Sequence, residues 1–302
     1  MFFTNKGRVY AKKAYRIPEA GRTAKGTNLV NIIELQEGEY VTSIIPITEF
    51  AEGEFLTMVT RQGVTKRTLL SDFAYQRKGG KIAINLDEGD ELIFVRHTKG
   101  GESLIIATRD GQAVRFDENN VRAMGRGARG VKGITLQGDD CVVGVAVVDE
   151  TKYLLTVTEN GMGKRTKFDD FREMKHRGGK GVTCHNITEK TGKLATVITV
   201  AEDDDIMLIT NEGTIIRTSV SGINVYSRTA TGVIIMRLDD GSYINNVARL
   251  EKAEDIEAES QEVERELENM PAPELIEADE SDDGDETEVT DGDTDDSDAD
   301  GI

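Results

Sequence analysis

The sequence is poor in the residues that build most small catalytic and metal sites. Its 302 residues include two cysteines, three histidines, four prolines and no tryptophan. Cys141 and Cys184 lack Cys-x-x-Cys spacing, which argues against a disulfide framework and against a thiolate metal site. The histidines His97, His176 and His185 lack the i, i+4 helix spacing of zinc proteases. We therefore expect no catalytic residue, cofactor or metal in this chain.

Long apolar runs are also absent. No segment approaches the ~18 apolar residues that a membrane helix needs. The first ten residues, MFFTNKGRVY, lack the basic leader and apolar core of a secretory signal. The sequence predicts a soluble, cytoplasmic protein with no membrane partner.

Charge is distributed very unevenly along the chain. Residues 251–302 hold 24 acidic and two basic residues, a net charge of −22, which leaves +3 of the chain's −19 for residues 1–250. Like charges at this density repel one another, and the segment has little apolar surface to bury. We expect 251–302 to be a mostly disordered acidic tail after a mildly basic domain at 1–250.

A short motif, Thr-x-x-Gly after an apolar run, occurs five times in that domain. The copies end at Gly7, Gly63, Gly111, Gly161 and Gly213, at intervals of 56, 48, 50 and 52 residues. Constant spacing of this kind indicates structural repeats. Their bounds are about 1–54, 55–103, 104–153, 154–205 and 206–250.

Each repeat also carries two further glycine turns. The first is basic and reads GRTAKG, QRKGGK, GRGARG, HRGGKG and SRTATG in the five copies, and the second is acidic in four of them. Between the turns lie short segments rich in β-branched residues, such as LIIAT and AVRF, which predict four strands per repeat. Units of four strands that cannot bury their faces alone stack around an axis as blades. The sequence predicts an all-β fold of five propeller-like blades.

Two glycine motifs resemble nucleotide loops, and both fail on context. Lys180 is followed by glycine, whereas the phosphate loop needs a serine or threonine there. Gly125, Gly127 and Gly130 match a dinucleotide fingerprint, but a strand pattern follows them instead of a helix. The acidic turns are expected to be solvated loops. Neither motif predicts a nucleotide site.

The remaining pattern is a periodic set of basic residues, which should return at one height around the ring. Because the acids occupy a different turn, we expect a basic rim that contacts the phosphates of duplex DNA, with bare glycines allowing close backbone approach. The low aromatic content argues against a stacking platform for single strands. The candidate DNA-binding residues are Arg8, Lys12, Arg22, Lys25, Lys66, Arg67, Lys78, Lys81, Arg115, Arg126, Arg129, Lys164, Arg165, Arg177, Lys180, Arg217 and Arg228.

Four segments together resemble the C-terminal domain of the bacterial DNA gyrase A subunit: FFTNKGRVYAKKAYRIPEA, VRAMGRGARGVKGITL, TENGMGKRTKF and SRTATGVIIMRL. The resemblance implies a β-pinwheel, a propeller relative whose blades exchange strands. It also implies a perimeter that wraps DNA for negative supercoiling. ATP and Mg would be bound elsewhere, in a nucleoid-associated A2B2 holoenzyme with the rest of the gyrase A subunit and with the gyrase B subunit.

The sequence departs from that family in two ways. The family has six blades and a Gln-Arg-Arg-Gly-Gly-Lys-Gly box in the first, whereas five repeats are visible here and the box is absent. The domain with the active-site tyrosine is absent too, so the sequence is interpreted as an N-terminally truncated, non-catalytic fragment of an ATP-dependent type II topoisomerase.

Two alternatives to a gyrase domain stay open. One is the C-terminal domain of the topoisomerase IV A subunit, and the other is a propeller that serves as a protein-interaction scaffold. The role of the acidic tail is also open: it is either inert or a competitor of DNA for the rim, in which case deleting it would tighten DNA binding at low salt.

Overall fold

The computed structural model describes residues 1–19, 26–75 and 79–250. Within these ranges all regular structure is β-strand or short 3-10 helix, which confirms the all-β prediction. The acidic segment 251–302 lies outside the described residues. The 3-10 helices span Ala14–Arg16, Leu29–Asn31, Leu70–Phe73, Glu118–Asn120, Phe168–Asp170 and Val220–Gly222.

The strands are short, as the glycine-punctuated sequence predicts. In chain order they are β1 (Phe2–Thr4), β2 (Arg8–Tyr10), β3 (Val41–Ile44), β4 (Phe55–Thr60), β5 (Val64–Leu69), β6 (Lys81–Ile82), β7 (Leu92–Thr98), β8 (Ser103–Thr108), β9 (Gln112–Asp117), β10 (Val131–Lys132), β11 (Val142–Val147), β12 (Tyr153–Thr158), β13 (Met162–Lys167), β14 (Glu173–Met174), β15 (Val182–Thr183), β16 (Leu194–Val200), β17 (Asp205–Thr210), β18 (Ile215–Ser219), β19 (Val233–Ile234) and β20 (Ile244–Leu250).

The strands form five sheets, the blades of a propeller-like ring. The first, second and fourth sheets have the orders β3-β1-β2-β6, β10-β5-β4-β7 and β16-β12-β13-β19. The third has the order β11-β8-β9-β14, with β15 also paired to β9, and the fifth has only β18-β17-β20. The outer strands β6, β10, β14, β15 and β19 each come from the repeat that follows in the chain. This exchange of strands confirms the pinwheel fold that the sequence resemblance implied.

Each Thr-x-x-Gly motif forms the tight turn of the central hairpin in its sheet. In the second sheet the Gly63 N–H donates to the Thr60 carbonyl at 3.0 Å, and the Thr60 hydroxyl accepts from Val64 N–H at 3.1 Å. Gly63 has φ +81°, and an added Cβ would lie 2.7 Å from Ile134 of the exchanged segment. The glycine is required by its conformation and by the close approach of the next repeat.

The apolar core lies between successive sheets. One cluster joins Phe3 and Val9 of the first repeat to Leu56, Met58 and Phe73 of the second, and all five side chains are fully buried. Equivalent clusters follow between each later pair of repeats. Burying one such side chain contributes about 1.5–3 kcal/mol. The inner strands pack in the order β3, β7, β11, β16, β20, which leaves the exchanged strands at the opposite, outer edge.

Candidate nucleic-acid interface

The basic turns lie along the outer edge of the sheets. In the third repeat, Ala123 forms a parallel bridge with Arg67 of the preceding sheet, and Val131 then returns antiparallel to Thr65. The turn between them, residues 125–130, therefore sits on the outer edge of the second sheet. The fifth repeat copies this geometry on the fourth sheet, where Val225 bridges Arg165. Strand exchange thus carries the basic turns of the third and fifth repeats to the perimeter.

Successive basic turns also contact the exchanged strand before them. Asn85 follows strand β6, and its side-chain amide donates to the Gly127 carbonyl at 2.6 Å. The Thr135 N–H donates to the Gly179 carbonyl at 2.9 Å, and the Asn186 N–H donates to the Ala230 carbonyl at 3.3 Å. The turns of repeats three, four and five therefore follow one another in a row on the perimeter. We call this row the basic rim, residues 125–130, 175–181 and 227–232.

Two of the lysines that the sequence assigned to DNA are buried beneath the rim. Lys66 and Lys164 are both 0% exposed. The Lys164 ammonium donates to the carbonyls of Ser227 and Arg228, each at 2.7 Å, and Lys66 donates to the Arg126 carbonyl in the same way. Desolvation lowers the pKa of each lysine to about 8. Both side chains hold the turns in place and lie out of reach of a surface ligand.

The neighbouring arginines are also enclosed. Arg67 stacks over the Phe55 ring at 4.3 Å and donates to Asn119 at 2.9 Å. Arg165 lies over Tyr153 and donates to the Ile223 carbonyl at 2.5 Å. Both residues are less than 10% exposed. They fasten the start of the following repeat to the sheet rather than pointing outward.

Other predicted residues are anchored to backbone but stay half-buried at the surface. Arg177 donates to the Lys132 carbonyl at 2.8 Å, and Arg228 makes the equivalent bond to the Thr183 carbonyl at 3.1 Å. Arg115 donates to the Phe168 carbonyl at 2.9 Å and pairs with Glu150. Each of these guanidinium groups joins one repeat to the next.

Four predicted residues are exposed: Lys12, Arg129, Lys180 and Arg217. Two of them form ion pairs with acidic residues. The sequence had predicted that acidic and basic turns are separated, so these pairs were not expected. Arg129 lies 2.7 Å from Asp87 in the acidic turn of the second repeat, and Arg217 lies 2.5 Å from Asp205. Both arginine side chains are mostly exposed, and such pairs contribute little free energy. A phosphate could therefore displace these carboxylates.

The remaining predicted residues line a cleft where the first three repeats meet, or lie outside the described ranges. Arg8, Lys81 and Arg126 line this cleft of roughly 400 Å³ together with Gly80. Arg8 donates to the Gly79 carbonyl at 2.5 Å, and Lys81 is buried with its ammonium 5.0 Å from the Tyr75 ring. The predicted residues Arg22, Lys25 and Lys78 lie outside the described residues.

Several exposed side chains on or beside the rim were missed from sequence. Arg122, Lys132, Lys175 and His176 are exposed, and the Lys132 carbonyl accepts the hydrogen bond from Arg177. Strand alternation could have indicated that Lys132 is exposed. Its neighbour Val131 on the same strand turns toward the protein, so Lys132 faces the other way. Arg122, Lys132 and Lys175 add positive charge to the part of the rim formed by repeats three and four.

The rim contains glycines that the fold does not need. An added Cβ at Gly125 or Gly127 would meet no atom within 4 Å, and neither residue has a positive φ. Gly130 differs, because it has φ +104° and its Cβ would lie 2.6 Å from the Thr65 carbonyl oxygen. Gly125 and Gly127 leave bare backbone on the surface, which suits close approach by a phosphate.

Two groups often considered for catalysis, the Cys184 thiol and the His185 ring, are buried. Burial raises the pKa of the Cys184 thiol to about 12, and burial also lowers the pKa of His185 to about 4. The His185 ring lies 3.0 Å from the Thr156 hydroxyl and 3.1 Å from the Thr231 carbonyl. In the part of the chain that the structure describes, no cluster of His, Cys, Asp or Glu could hold a metal, and no helix is long and apolar enough to cross a membrane.

Strand-exchanged sheets with basic turns on their outer edge define a β-pinwheel repeat domain. The chain belongs to the DNA gyrase C-terminal domain family, because the family model described as "DNA gyrase C-terminal domain, beta-propeller" matches residues 1–48, 54–99, 102–149, 152–201 and 204–251. It is 43% identical over 258 residues to the DNA gyrase A subunit of Staphylococcus epidermidis (strain ATCC 12228), which covers 84% of this chain. It is also 43% identical over 265 residues, 87% of this chain, to the corresponding protein of Staphylococcus aureus (strain MRSA252).

The chain spans about 30% of the length of these curated relatives, 29% in the first case and 30% in the second. Solved structures resemble it as well. A C-terminal domain of DNA topoisomerase IV has a TM-score of 0.79 at 26% identity and covers 88% of this chain and 83% of its own. A DNA gyrase A C-terminal domain has a TM-score of 0.73 at 29% identity and covers 83% and 81%.

Proposed function

We propose that this chain binds duplex DNA along the basic rim and bends it around the perimeter, as a DNA-wrapping module of the DNA gyrase A subunit. The observation that carries the proposal is the unbroken row of basic turns on the outer edge of successive sheets. Contacts to phosphate need no base sequence, so they can repeat from one turn to the next. Similarity to gyrase subunits supports the same function.

The contacts divide the candidate residues into two roles. The exposed side chains Arg129, Lys132, Lys175 and Lys180 are the ones that we assign to phosphate contact. The buried Lys66, Arg67, Lys164 and Arg165 position the turns instead, because each is enclosed and donates at least one hydrogen bond to a backbone carbonyl or a side chain. Arg22, Lys25 and Lys78 stay as sequence-based proposals for contact.

The energetic cost of wrapping is modest compared with several phosphate contacts. Bending a 20–30 bp site by 40–90° costs on the order of 1–6 kcal/mol. Each phosphate that is neutralised adds about 0.9 to the slope of log affinity against log salt. Three to five contacts on the rim would therefore give affinity that falls steeply with salt.

In the whole enzyme, wrapping would support ATP-dependent negative supercoiling. We place the chain with the rest of the gyrase A subunit and with the gyrase B subunit in an A2B2 assembly on the bacterial chromosome in the cytoplasm, with ATP and Mg bound outside this chain. The topoisomerase IV domain is the second candidate, since a solved topoisomerase IV domain has the TM-score of 0.79. Fusion to the remaining parts of gyrase separates the two: a gyrase module restores supercoiling, whereas a topoisomerase IV module does not.

Titration of the full chain with a 40 bp duplex across a salt series tests the binding step. We expect the variant Arg129→Gln/Lys132→Gln/Lys180→Gln to reduce the salt slope by about one for each lost phosphate contact. Lys193→Gln is the control variant. Lys193 is an exposed lysine outside the basic rim, and it pairs with Asp110 at 2.6 Å. Equal losses in both variants, or a flat salt dependence of the parent chain, would contradict the proposal.

Closure of a nicked circle by ligase in the presence of the chain tests the wrapping step. Bending alone leaves the linking number of the ligated circle unchanged, whereas wrapping shifts it in proportion to the bound chain. Binding without a linking-number shift would reduce the proposal to simple DNA binding.

A further inference from the structure

One arginine of the basic rim is not anchored, and it lines the cleft where the first three repeats meet. The second residue of the turns GRGARG, HRGGKG and SRTATG is an arginine in each case: Arg126, Arg177 and Arg228. Arg177 donates to the Lys132 carbonyl at 2.8 Å, and Arg228 donates to the Thr183 carbonyl at 3.1 Å. The equivalent acceptor for Arg126 is the Ile82 carbonyl, but the Arg126 guanidinium makes no hydrogen bond or ion pair with another described residue. Its charge is therefore available to a ligand in the cleft.

The same cleft has an apolar wall. Tyr75 is 72% exposed and Ile82 is 48% exposed, and both line the space of roughly 400 Å³ that Arg126 lines. At the position of Ile82 the third and fourth repeats carry Lys132 and Thr183, so the strand-exchanged fold does not require an apolar residue there. An exposed aromatic and aliphatic pair beside an unpaired cation fits a ligand that has both apolar and anionic parts.

Neighbouring contacts hold the walls of the cleft in place. Lys81 is buried, and its ammonium lies 5.0 Å from the centroid of the Tyr75 ring, which is a cation–π contact. Arg8 donates to the Gly79 carbonyl at 2.5 Å. Gly127 adds bare backbone, because an added Cβ there would meet no atom within 4 Å. A ligand therefore meets a preformed cleft and needs to order few side chains.

A sugar–phosphate unit of DNA has both of the required surfaces. Its phosphate is negatively charged, and its deoxyribose lacks the 2′-hydroxyl of ribose, so C–H groups can pack on apolar side chains. An inorganic anion would match Arg126 but leave Tyr75 and Ile82 in water. A purely apolar ligand would leave the guanidinium unpaired, which is unfavourable in a partly enclosed site.

We propose that the cleft seats one deoxyribose–phosphate unit of duplex DNA, with the phosphate at Arg126 and the sugar against Tyr75 and Ile82. The cleft is continuous with the basic rim, since Arg126 and Gly127 belong to the turn at 125–130. The inference rests on the proposed function and assigns this place a contact that is not purely electrostatic. An apolar contact releases no counterions, so it strengthens binding by the same factor at every salt concentration, whereas phosphate contacts weaken as salt rises.

Tryptophan fluorescence of the full chain tests whether DNA enters the cleft. The chain contains no tryptophan, so Tyr75→Trp introduces a single reporter there. We expect the emission to change over the same concentration range in which a duplex binds. The control is Tyr243→Trp, at a position that is 46% exposed beside the acidic turn of the fifth repeat, and its emission should stay constant. A free deoxynucleoside monophosphate should have little effect, because it lacks the neighbouring phosphates that contact the rest of the rim.

Duplex titrations across a salt series separate the two walls. We expect Tyr75→Ser/Ile82→Ser to lower affinity by about tenfold at every salt concentration, with an unchanged salt slope, because apolar surface stays in water. Arg126→Gln should lower the slope by about one, and Arg126→Lys, which keeps the charge, should retain the parent slope. The control Tyr243→Ser/Ile44→Ser changes residues that are 46% and 61% exposed away from the outer edge, and it should bind like the parent chain.

Thermal melting checks that the variants fold. The substituted side chains are exposed or half-buried, so each variant should melt near the temperature of the parent chain. Parent-like affinity of Tyr75→Ser/Ile82→Ser, or constant emission of Tyr75→Trp, would overturn the assignment of the cleft and leave DNA binding by the rim intact. An equal emission change with the free nucleotide would also overturn it, in favour of a nucleotide site. Failure of the parent chain to bind duplex would instead contradict the proposed function, and the cleft assignment with it.

Discussion

The ammonium of Lys66 donates a hydrogen bond to the backbone carbonyl of Arg126, which lies 60 residues further along the chain. It also donates to the Ala83 carbonyl at 2.6 Å. One buried side chain thereby joins the second sheet, the segment that covers the first sheet and the basic turn of the third repeat. Lys164 repeats the arrangement two sheets later, with the turn that contains Arg228.

We expect Lys66→Met to loosen the basic turn at residues 125–130 while leaving the remaining repeats intact. The buried carbonyl of Ala83 and the partly buried carbonyl of Arg126 lose their donor, which costs about 1–3 kcal/mol. Amide hydrogen exchange should accelerate in 125–130 and stay unchanged in 227–232, and affinity for duplex DNA should fall. Lys164→Met should accelerate exchange in 227–232 and leave exchange in 125–130 unchanged. Uniform acceleration in both turns would instead indicate general destabilisation.

The free energy of unfolding should depend on pH through these two lysines. Their folded-state pKa of about 8 lies below the usual value of 10.5, so between these values the unfolded chain binds more protons. Stability attributable to Lys66 and Lys164 therefore rises as pH increases from about 8 to 10.5, on the order of 3 kcal/mol per lysine. Urea titrations at pH 7.5 and pH 10 measure the difference in free energy of unfolding between the parent chain and the double variant Lys66→Met/Lys164→Met. A difference that does not change with pH would contradict this assignment.

Two glycines of one turn should respond in opposite ways to alanine. Gly127→Ala has open space around the new methyl group and should change stability by less than about 0.5 kcal/mol. Its methyl group should nevertheless weaken DNA binding if phosphate approaches the bare backbone. Gly130→Ala requires φ +104° and a Cβ 2.6 Å from the Thr65 carbonyl oxygen, so it should destabilise by about 1–3 kcal/mol. Thermal melts and duplex titrations of both variants compare the two effects.

Removing the carboxylate of Asp87 should strengthen DNA binding. Asp87 pairs with Arg129 at 2.7 Å, so a phosphate must compete with it for the guanidinium. We expect Asp87→Asn to raise duplex affinity several-fold at low salt, with little change in melting temperature because the pair is exposed. Glu212→Gln, at an exposed position on the hairpin turn of the fifth repeat, removes the same charge away from the rim. Equal gains in both variants would indicate a general charge effect.

The fold was largely predictable because its signals are local and repeated. Each Thr-x-x-Gly motif marks a tight turn that only glycine can complete at this φ, and each β-branched run marks a strand. The four predicted strands per repeat were found in the second, third and fifth repeats. In the first repeat the segment at Leu29–Asn31 is a 3-10 helix where the repeat pattern predicted a strand.

The roles of individual basic residues were less predictable, because burial depends on which repeat covers which sheet. Comparison of the repeats contained a usable signal: the position of Lys66 and Lys164 is Tyr10, Val114 and Ile216 in the other copies. A repeat position that holds an apolar or aromatic residue in three copies indicates an enclosed environment. The hydrogen bonds of the two lysines to backbone carbonyls had no sequence signal, since any residue supplies a carbonyl.

Strand exchange also affects how such a chain can gain or lose length. Because every repeat covers the sheet before it in the same register, a deletion or duplication of one repeat length leaves each remaining sheet with an equivalent covering strand. The break points need not coincide with the edge of a blade. Blade number in this architecture can therefore change by recombination within the coding sequence while the type of contact between neighbours stays constant.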